Sequence, residues 1–164
     1  MKLEYTKQNI ITGLLIYGIG DSVASLLTGE FLLTRLLGMI LIGGTVYAFE
    51  IPNFFNWINY KIPETDKSFK ALMNRALLAS AYFNPLWVTR HLFFLKVISL
   101  DFGGINSSLW GIGWDSFVGS IPISIIGNYL IQNKVSNERR FLSSCIFSAF
   151  MAVYYAMSEL LFAN

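Results

Sequence analysis

The chain has one cysteine and one histidine in 164 residues, and charged residues make up only 13% of it. A lone Cys145 excludes an internal disulfide and a multi-cysteine metal site. It sits in an apolar run and reads as a small core residue. His91 has no second imidazole or thiol nearby in sequence to complete a zinc site. No G-x-S-x-G turn accompanies it, so no Ser-His-Asp arrangement can be built. No glycine loop precedes a lysine in the phosphate-cradling pattern. A net charge of +2, with no basic stretch interleaved by aromatics, argues against nucleic acid as a partner. No cofactor is implied and no enzyme is expected; a membrane enzyme acting on a lipid would lack a complete catalytic constellation.

What the chain does have is apolar bulk. It is 54% hydrophobic and 16% aromatic, with a mean hydropathy of +0.53, whereas a typical soluble domain is about 25% charged. A soluble globule of this size would have too little polar surface to cover itself. The composition therefore predicts an integral membrane protein, in a bacterial plasma membrane or an organelle inner membrane, with residues 1–164 forming one domain. The opening MKLEYTKQNIITGLLIYG places two lysines before an apolar run, as a signal peptide does. That run is too long, contains Asp21 and meets no small-x-small cleavage site, so it reads as the first span.

A helix needs about 20 mostly apolar residues to cross a bilayer. Five runs qualify: about Ile10 to Gly29, Leu32 to Ile58, Ala71 to Ile98, Ser107 to Ile131 and Phe141 to Phe162. The expected fold is an all-α bundle of about five transmembrane helices. Polar loops separate the runs at YKIPETDKSFK, at SLDFGG, where Gly103 and Gly104 are expected to break the helix, and at QNKVSNERR. With the amino terminus inside, Lys2, Lys7, Lys61, Lys67, Lys70, Arg75, Lys134, Arg139 and Arg140 all fall on the inner side. Arg35 and Lys96 fall outside, which fits the bias of cytoplasmic loops towards lysine and arginine. Trp57, Tyr60, Trp110, Trp114, Tyr154 and Tyr155 read as interface anchors or packing. Gly18, Gly20, Gly38, Gly43, Gly44, Gly111, Gly113 and Gly119 lie within the runs, where small residues let helices approach. Those faces also offer a route to a homo-oligomer. Pro52, Pro85 and Pro122 each fall inside a span and are expected to kink it. In a transporter such kinks also turn irregular backbone towards a cavity.

Ionisable groups within spans carry the functional signal, because each is costly unless paired or hydrated. They are Asp21, Glu50, Arg90, His91 and Asp115, with Glu159 near the end of the last run. At 1.5 Å per residue, Asp21, Arg90 and Asp115 each lie roughly 12 Å from the outer end of their helices. A guanidinium can hold two carboxylates, so counting predicts an Asp21–Arg90–Asp115 cluster. Its role is either a structural ion network or the polar lining of a solute pathway, and the two are compatible. Glu50 is expected nearer the inner side, beside Pro52 and Asn53. His91 points to a different face from Arg90 and reads as a hydrogen-bonded structural residue more readily than as a proton relay.

The order of these features resembles the Mpv-seventeen, or peroxisomal membrane protein, family of small membrane proteins. The likeness rests on GIGD at Gly18 to Asp21 and Arg35 opening the second helix. It continues through Phe54 and Phe55 before Ile62-Pro63, Phe83-Asn84-Pro85 in the third helix, and Trp110 and Pro122 in the fourth. The chain departs from that family at Ala48-Phe49, Ala79-Ser80 and Ile126, so the likeness bears more on fold than on pore residues. A smaller likeness, over Phe83 to Pro85, is to bacterial L-alanine exporters. Both imply a helical bundle that passes a solute.

The function expected from these readings is a small multi-pass channel or transporter for an anionic or zwitterionic solute. Asp21, Arg90, Asp115, Glu50 and His91 would lie along the pathway, and the partners would be the lipid bilayer and the small-molecule solute. The alternative is a non-catalytic scaffold or subunit of a membrane complex.

Overall fold

The computed structural model describes residues 3–29 and 31–162, with side chains up to Val153. Lys2 and the side chains of Tyr154, Tyr155 and Glu159 lie outside the described residues. Every described element is a helix. Helix α1 (Lys7–Leu27) starts at Thr6, whose side chain accepts from the Asn9 amide at 3.1 Å, filling one of the donors left open at a helix start. It ends at Gly29, whose φ of 73° is open to glycine without steric cost.

Helices α2 (Leu33–Ile42) and α3 (Ala48–Lys61) are joined without a break by a π-helical turn, Gly43–Tyr47. Together they make one 29-residue helix. The wide turn coincides with a close helix crossing. A β-carbon on Gly13 of α1 would overlap the Gly43 carbonyl, and one on Gly43 would overlap the Gly13 carbonyl, so the two backbones touch there. The α3 half supplies Ala48, Ile51, Phe55 and Ile58 to the core, almost fully buried beside Tyr47 and Met39.

The third apolar run is not one kinked helix. It divides into α4 (Phe69–Tyr82) and α5 (Pro85–Ile98). Pro85 has no amide hydrogen and its ring excludes helical backbone at the preceding residue; Asn84 accordingly has ψ 176°. The same asparagine caps α5 by accepting from the Trp87 amide at 3.1 Å. Pro52 and Pro122, by contrast, sit inside unbroken helices. The SLDFGG turn also differs from expectation. Helix α5 ends at Ile98 and the chain reverses at Leu100, φ 58°, while Gly103 and Gly104 fall in a following 3₁₀ turn.

Helix α6 (Ser108–Lys134) packs along α4 and α5, and α7 (Asn137–Phe162) packs along α1. Three helices, Lys7–Leu27, Leu33–Lys61 and Ser108–Lys134, are long and apolar enough to cross a membrane. The bundle has two unlike ends. At one, α1, α5 and the first turns of α2 and α6 surround an open vestibule. The other is tied shut by two arginines. Arg75, 1% exposed, donates to the carbonyls of Pro63 at 2.8 Å and Asp66 at 3.1 Å and to Asn133 at 2.9 Å. Arg140, 3% exposed, donates to Asn59 at 2.8 Å and pairs with Glu64 at 2.9 Å.

Candidate functional site

Two adjoining cavities define the site. The vestibule has a volume of about 660 Å³ and is lined by Asp21, Arg35, His91, Lys96 and Asp101 among apolar residues. Deeper in the bundle lies a cavity of about 110 Å³, lined by Tyr17, Phe83, Trp87, Ser120, Asn128 and Phe147 among others. Asp21, His91 and Ala152 line both, so the two spaces meet there.

Asp21 does not meet Arg90. It is held by both arms of Arg35, Nε to Oδ2 at 2.8 Å and Nη2 to Oδ1 at 2.7 Å, with the carboxylate 7% exposed and the guanidinium 16%. The short turn between α1 and α2 sets this pairing. It returns Arg35 beside the last two turns of α1, at the depth of Asp21. Arg35 was legible as an outer-side cation, but its length was left out of the count. An arginine near a helix start can reach about a turn into the bundle along its apolar stem.

His91 lies on α5 between the cavities. Its Nδ1 is 2.8 Å from the Tyr47 hydroxyl, and its ring stacks on Trp87 at 5.5 Å with an interplanar angle of 1°. One turn beyond His91, Lys96 reaches the vestibule wall and donates to Asp101 at 2.6 Å. The Lys96 ammonium, followed by the Gly104 amide, holds the Asp101 carboxyl below the usual carboxylate range. Among the described residues, the vestibule thus carries two cations and two anions in matched pairs.

Arg90 pairs instead with Glu50, at 2.8 and 2.7 Å, and the Tyr82 hydroxyl donates to the same carboxylate at 2.8 Å. Each member of the ion pair is about one-third exposed, 33% and 32%, and neither lines the two cavities. Tyr82 is the last residue of α4 and Arg90 is in α5, so the group brackets the Asn84–Pro85 break against α3. That geometry fits bracing. Arg90→Gln is expected to lower thermal stability by about 2 kcal/mol, the scale of a lost charged hydrogen-bond pair. Thermal unfolding of the purified variant checks this.

Among the described residues, Asp115 joins neither ion pair. It lies on the exposed face of α6 between Gly111 and Gly119, glycines that have open space where a side chain would stand. Two turns further in, α6 turns its other face to the cavity. The expected Asp21–Arg90–Asp115 cluster therefore resolves into two separate ion pairs and one outward carboxylate. Depth along a helix was countable; the direction in which each side chain leaves it was not, and that decided the partners. The chain matches no family model, no curated protein and no solved structure.

Proposed function

We propose that this chain is a multi-pass membrane channel or transporter for a small solute, with about five spans, the arginine-closed end inside and the vestibule outside. The observation that carries the reading is the junction of vestibule and inner cavity at the Asp21–Arg35 pair. Membrane insertion is supported by the long helices and by the apolar residues they expose, such as Leu15, Ile19, Leu37, Leu41 and Ile126. Orientation is supported by charge. Lys61, Lys67, Lys70, Lys134, Arg139 and Arg140 gather at the closed end, against Arg35 and Lys96 at the other. The resemblance to the Mpv-seventeen family points the same way.

Of the anionic and zwitterionic solutes, the balanced vestibule favours the zwitterion. A bidentate guanidinium recognises a carboxylate, and Asp21 and Asp101 offer an ammonium its counterpart. A buried aromatic cavity then accepts a small apolar body. The test is uptake of radiolabelled glycine and lactate, and of potassium ions, into proteoliposomes. Glycine uptake well above empty liposomes, with lactate slower and potassium negligible, is the expected result. Uptake no faster than in empty liposomes for all three would overturn the reading.

A second reading, a scaffold or complex subunit, draws on the exposed Gly111–Asp115–Gly119 face of α6, which is shaped for close approach of another helix. Recovery of stoichiometric partner chains from native membranes, lost on Gly111→Leu, would favour it.

A further inference from the structure

On the inward face of α6, polar residues recur every fourth position: Ser120, Ser124, Asn128 and Gln132. A spacing of four keeps them on one side of the helix, over about 18 Å at 1.5 Å per residue. Ser120, Ser124 and Asn128 line the inner cavity. Gln132 lies one turn beyond it, towards the arginine-closed end. Asn128 and Gln132 are each 1% exposed.

The two amides, Asn128 and Gln132, are poorly matched by the protein around them, whereas Ser120 donates to the Phe117 carbonyl at 3.0 Å. Asn128 donates to the Ser80 hydroxyl at 3.2 Å, but its Oδ1 has no protein partner. Neither the nitrogen nor the oxygen of the Gln132 amide has one. Across the cavity, Trp87 Nε1 is also unpartnered, and the Tyr17 hydroxyl lies beside Ser148 and Cys145 without a well-formed bond. A buried amide left dry costs on the order of 1–3 kcal/mol, and native structures pair more than about nine in ten such groups with protein or water. Leucine or methionine would pack at position 132 without that cost. A donor-and-acceptor side chain there has a physical reason only if something that both accepts and donates reaches it.

We propose that this ladder carries the inner half of the route, and that its occupant is a file of water along which a small net-neutral solute with both donors and acceptors passes. The proposal rests on the conduit reading above and adds the path and the class of solute. Serine hydroxyls and primary amides hydrogen-bond a neutral solute or a zwitterion's water shell while attracting no net charge. The ladder also begins where the vestibule's ion pairs end, so its own four side chains bring no charge to the stretch between the vestibule and the arginine-closed end. Water bound in such a setting makes about three hydrogen bonds, which the unpartnered amide atoms of Asn128 and Gln132 can supply together with Ser80 and Ser124.

The test uses the full-length chain in proteoliposomes, with water itself and glycine as probes, and the variants Gln132→Met and Gln132→Glu. Methionine matches glutamine in length and volume but cannot hold water. If the ladder is wet, wild type shows osmotic water permeability severalfold above empty liposomes. Gln132→Met then cuts it severalfold with no gain in melting temperature, and Gln132→Glu folds with near-normal stability. If the amide is dry, Gln132→Met raises the melting temperature, Gln132→Glu unfolds the protein, and water permeability does not respond; that result overturns the ladder. Wild-type water permeability needs no variant and alone overturns the proposal if it equals that of empty liposomes. The two readings fail separately. Glycine uptake without water permeability rejects the ladder and keeps the conduit. Water permeability sensitive to Gln132→Met without glycine uptake keeps the ladder and rejects the solute.

Discussion

Asp21→Asn and Arg35→Gln are each expected to abolish glycine uptake and to destabilise the protein, whereas the double variant regains stability without regaining uptake. Asp21 is buried, Arg35 is 16% exposed on the vestibule wall, and their two bonds are 2.8 and 2.7 Å. Removing the arginine charge leaves a buried carboxylate unpaired, at a cost of about 3–5 kcal/mol, and removing the carboxylate costs less because the guanidinium still reaches the vestibule. Removing both leaves two neutral amides; glutamine is shorter than arginine but can place its amide nitrogen near the position of Nε, beside the oxygen of the asparagine at position 21, so the desolvation cost of a lone charge disappears. Stability should therefore be strongly non-additive, with a coupling of about 0.5–3 kcal/mol. Transport should not follow it. On the proposed function, a solute carboxylate entering the vestibule would compete with Asp21 for the guanidinium fork, and glutamine offers no such fork. Thermal unfolding and uptake measured on all four proteins separate the two roles. A double variant that is both stable and fully active would make the ion pair purely a packing element and move the recognition of solute elsewhere.

Much of this fold was legible because apolar periodicity and run length are local properties. The bounds of α1, of the joined α2–α3 helix and of α6 fall within a few residues of the runs read from composition. The division of the third run was legible only in part. Pro85 marked an irregularity, but a kink and a break differ in whether the preceding residue can stay helical, and Asn84, free to cap the next helix with its own side chain, settled it as a break. The ion pairing was misplaced for a geometric reason. Asp21, Arg90 and Asp115 lie at similar depths, yet Asp115 leaves α6 on the side away from α1, and Arg90 leaves α5 towards α3. Arg35 displaced Arg90 as the partner of Asp21 because a short turn brings α2 back against α1. The π-turn at Gly43 had a signal in the Gly43-Gly44 pair, but its cause, contact with Gly13, is tertiary. The ladder of Ser120, Ser124, Asn128 and Gln132 was fully present as a period of four polar residues in an apolar helix. Its meaning depends on burial and on missing partners, which only coordinates supply.

Arg75 was read from sequence as one more cation of an inner loop, and its burial leads to the second large expected effect. Arg75→Ala should destabilise the closed end by about 3–5 kcal/mol, because it strips donors from buried acceptors and opens a cavity. Its three bonds join two otherwise separate pieces: the loop after α3, through the carbonyls of Pro63 and Asp66, and α6, through Asn133. Asn133 in turn donates to the Leu72 carbonyl of α4 at 3.0 Å, so one guanidinium fixes loop, α4 and α6 at once. Arg75→Lys should recover little, since an ammonium on a flexible stem cannot fill three acceptors spread across a planar fork. Limited trypsin digestion reads the effect locally. The loop holds Lys67, with Lys61 at the end of α3 and Lys70 in the first turn of α4 on either side of it, and release of the loop from the arginine should speed cleavage there severalfold in both variants while the vestibule half stays intact. The consequence for transport follows from position. If solute leaves at this end, the loop must part from α6, and weakening its tether should raise the rate of passage even as it lowers the melting temperature. A variant that is less stable, cut faster and yet faster in glycine uptake would place the inner gate at Arg75. Equal loss of stability and of uptake would make Arg75 a fastening that transport never undoes, and would leave the exit to the neighbouring tether at Arg140, where Asn59, Glu64 and Val135 are held in the same manner.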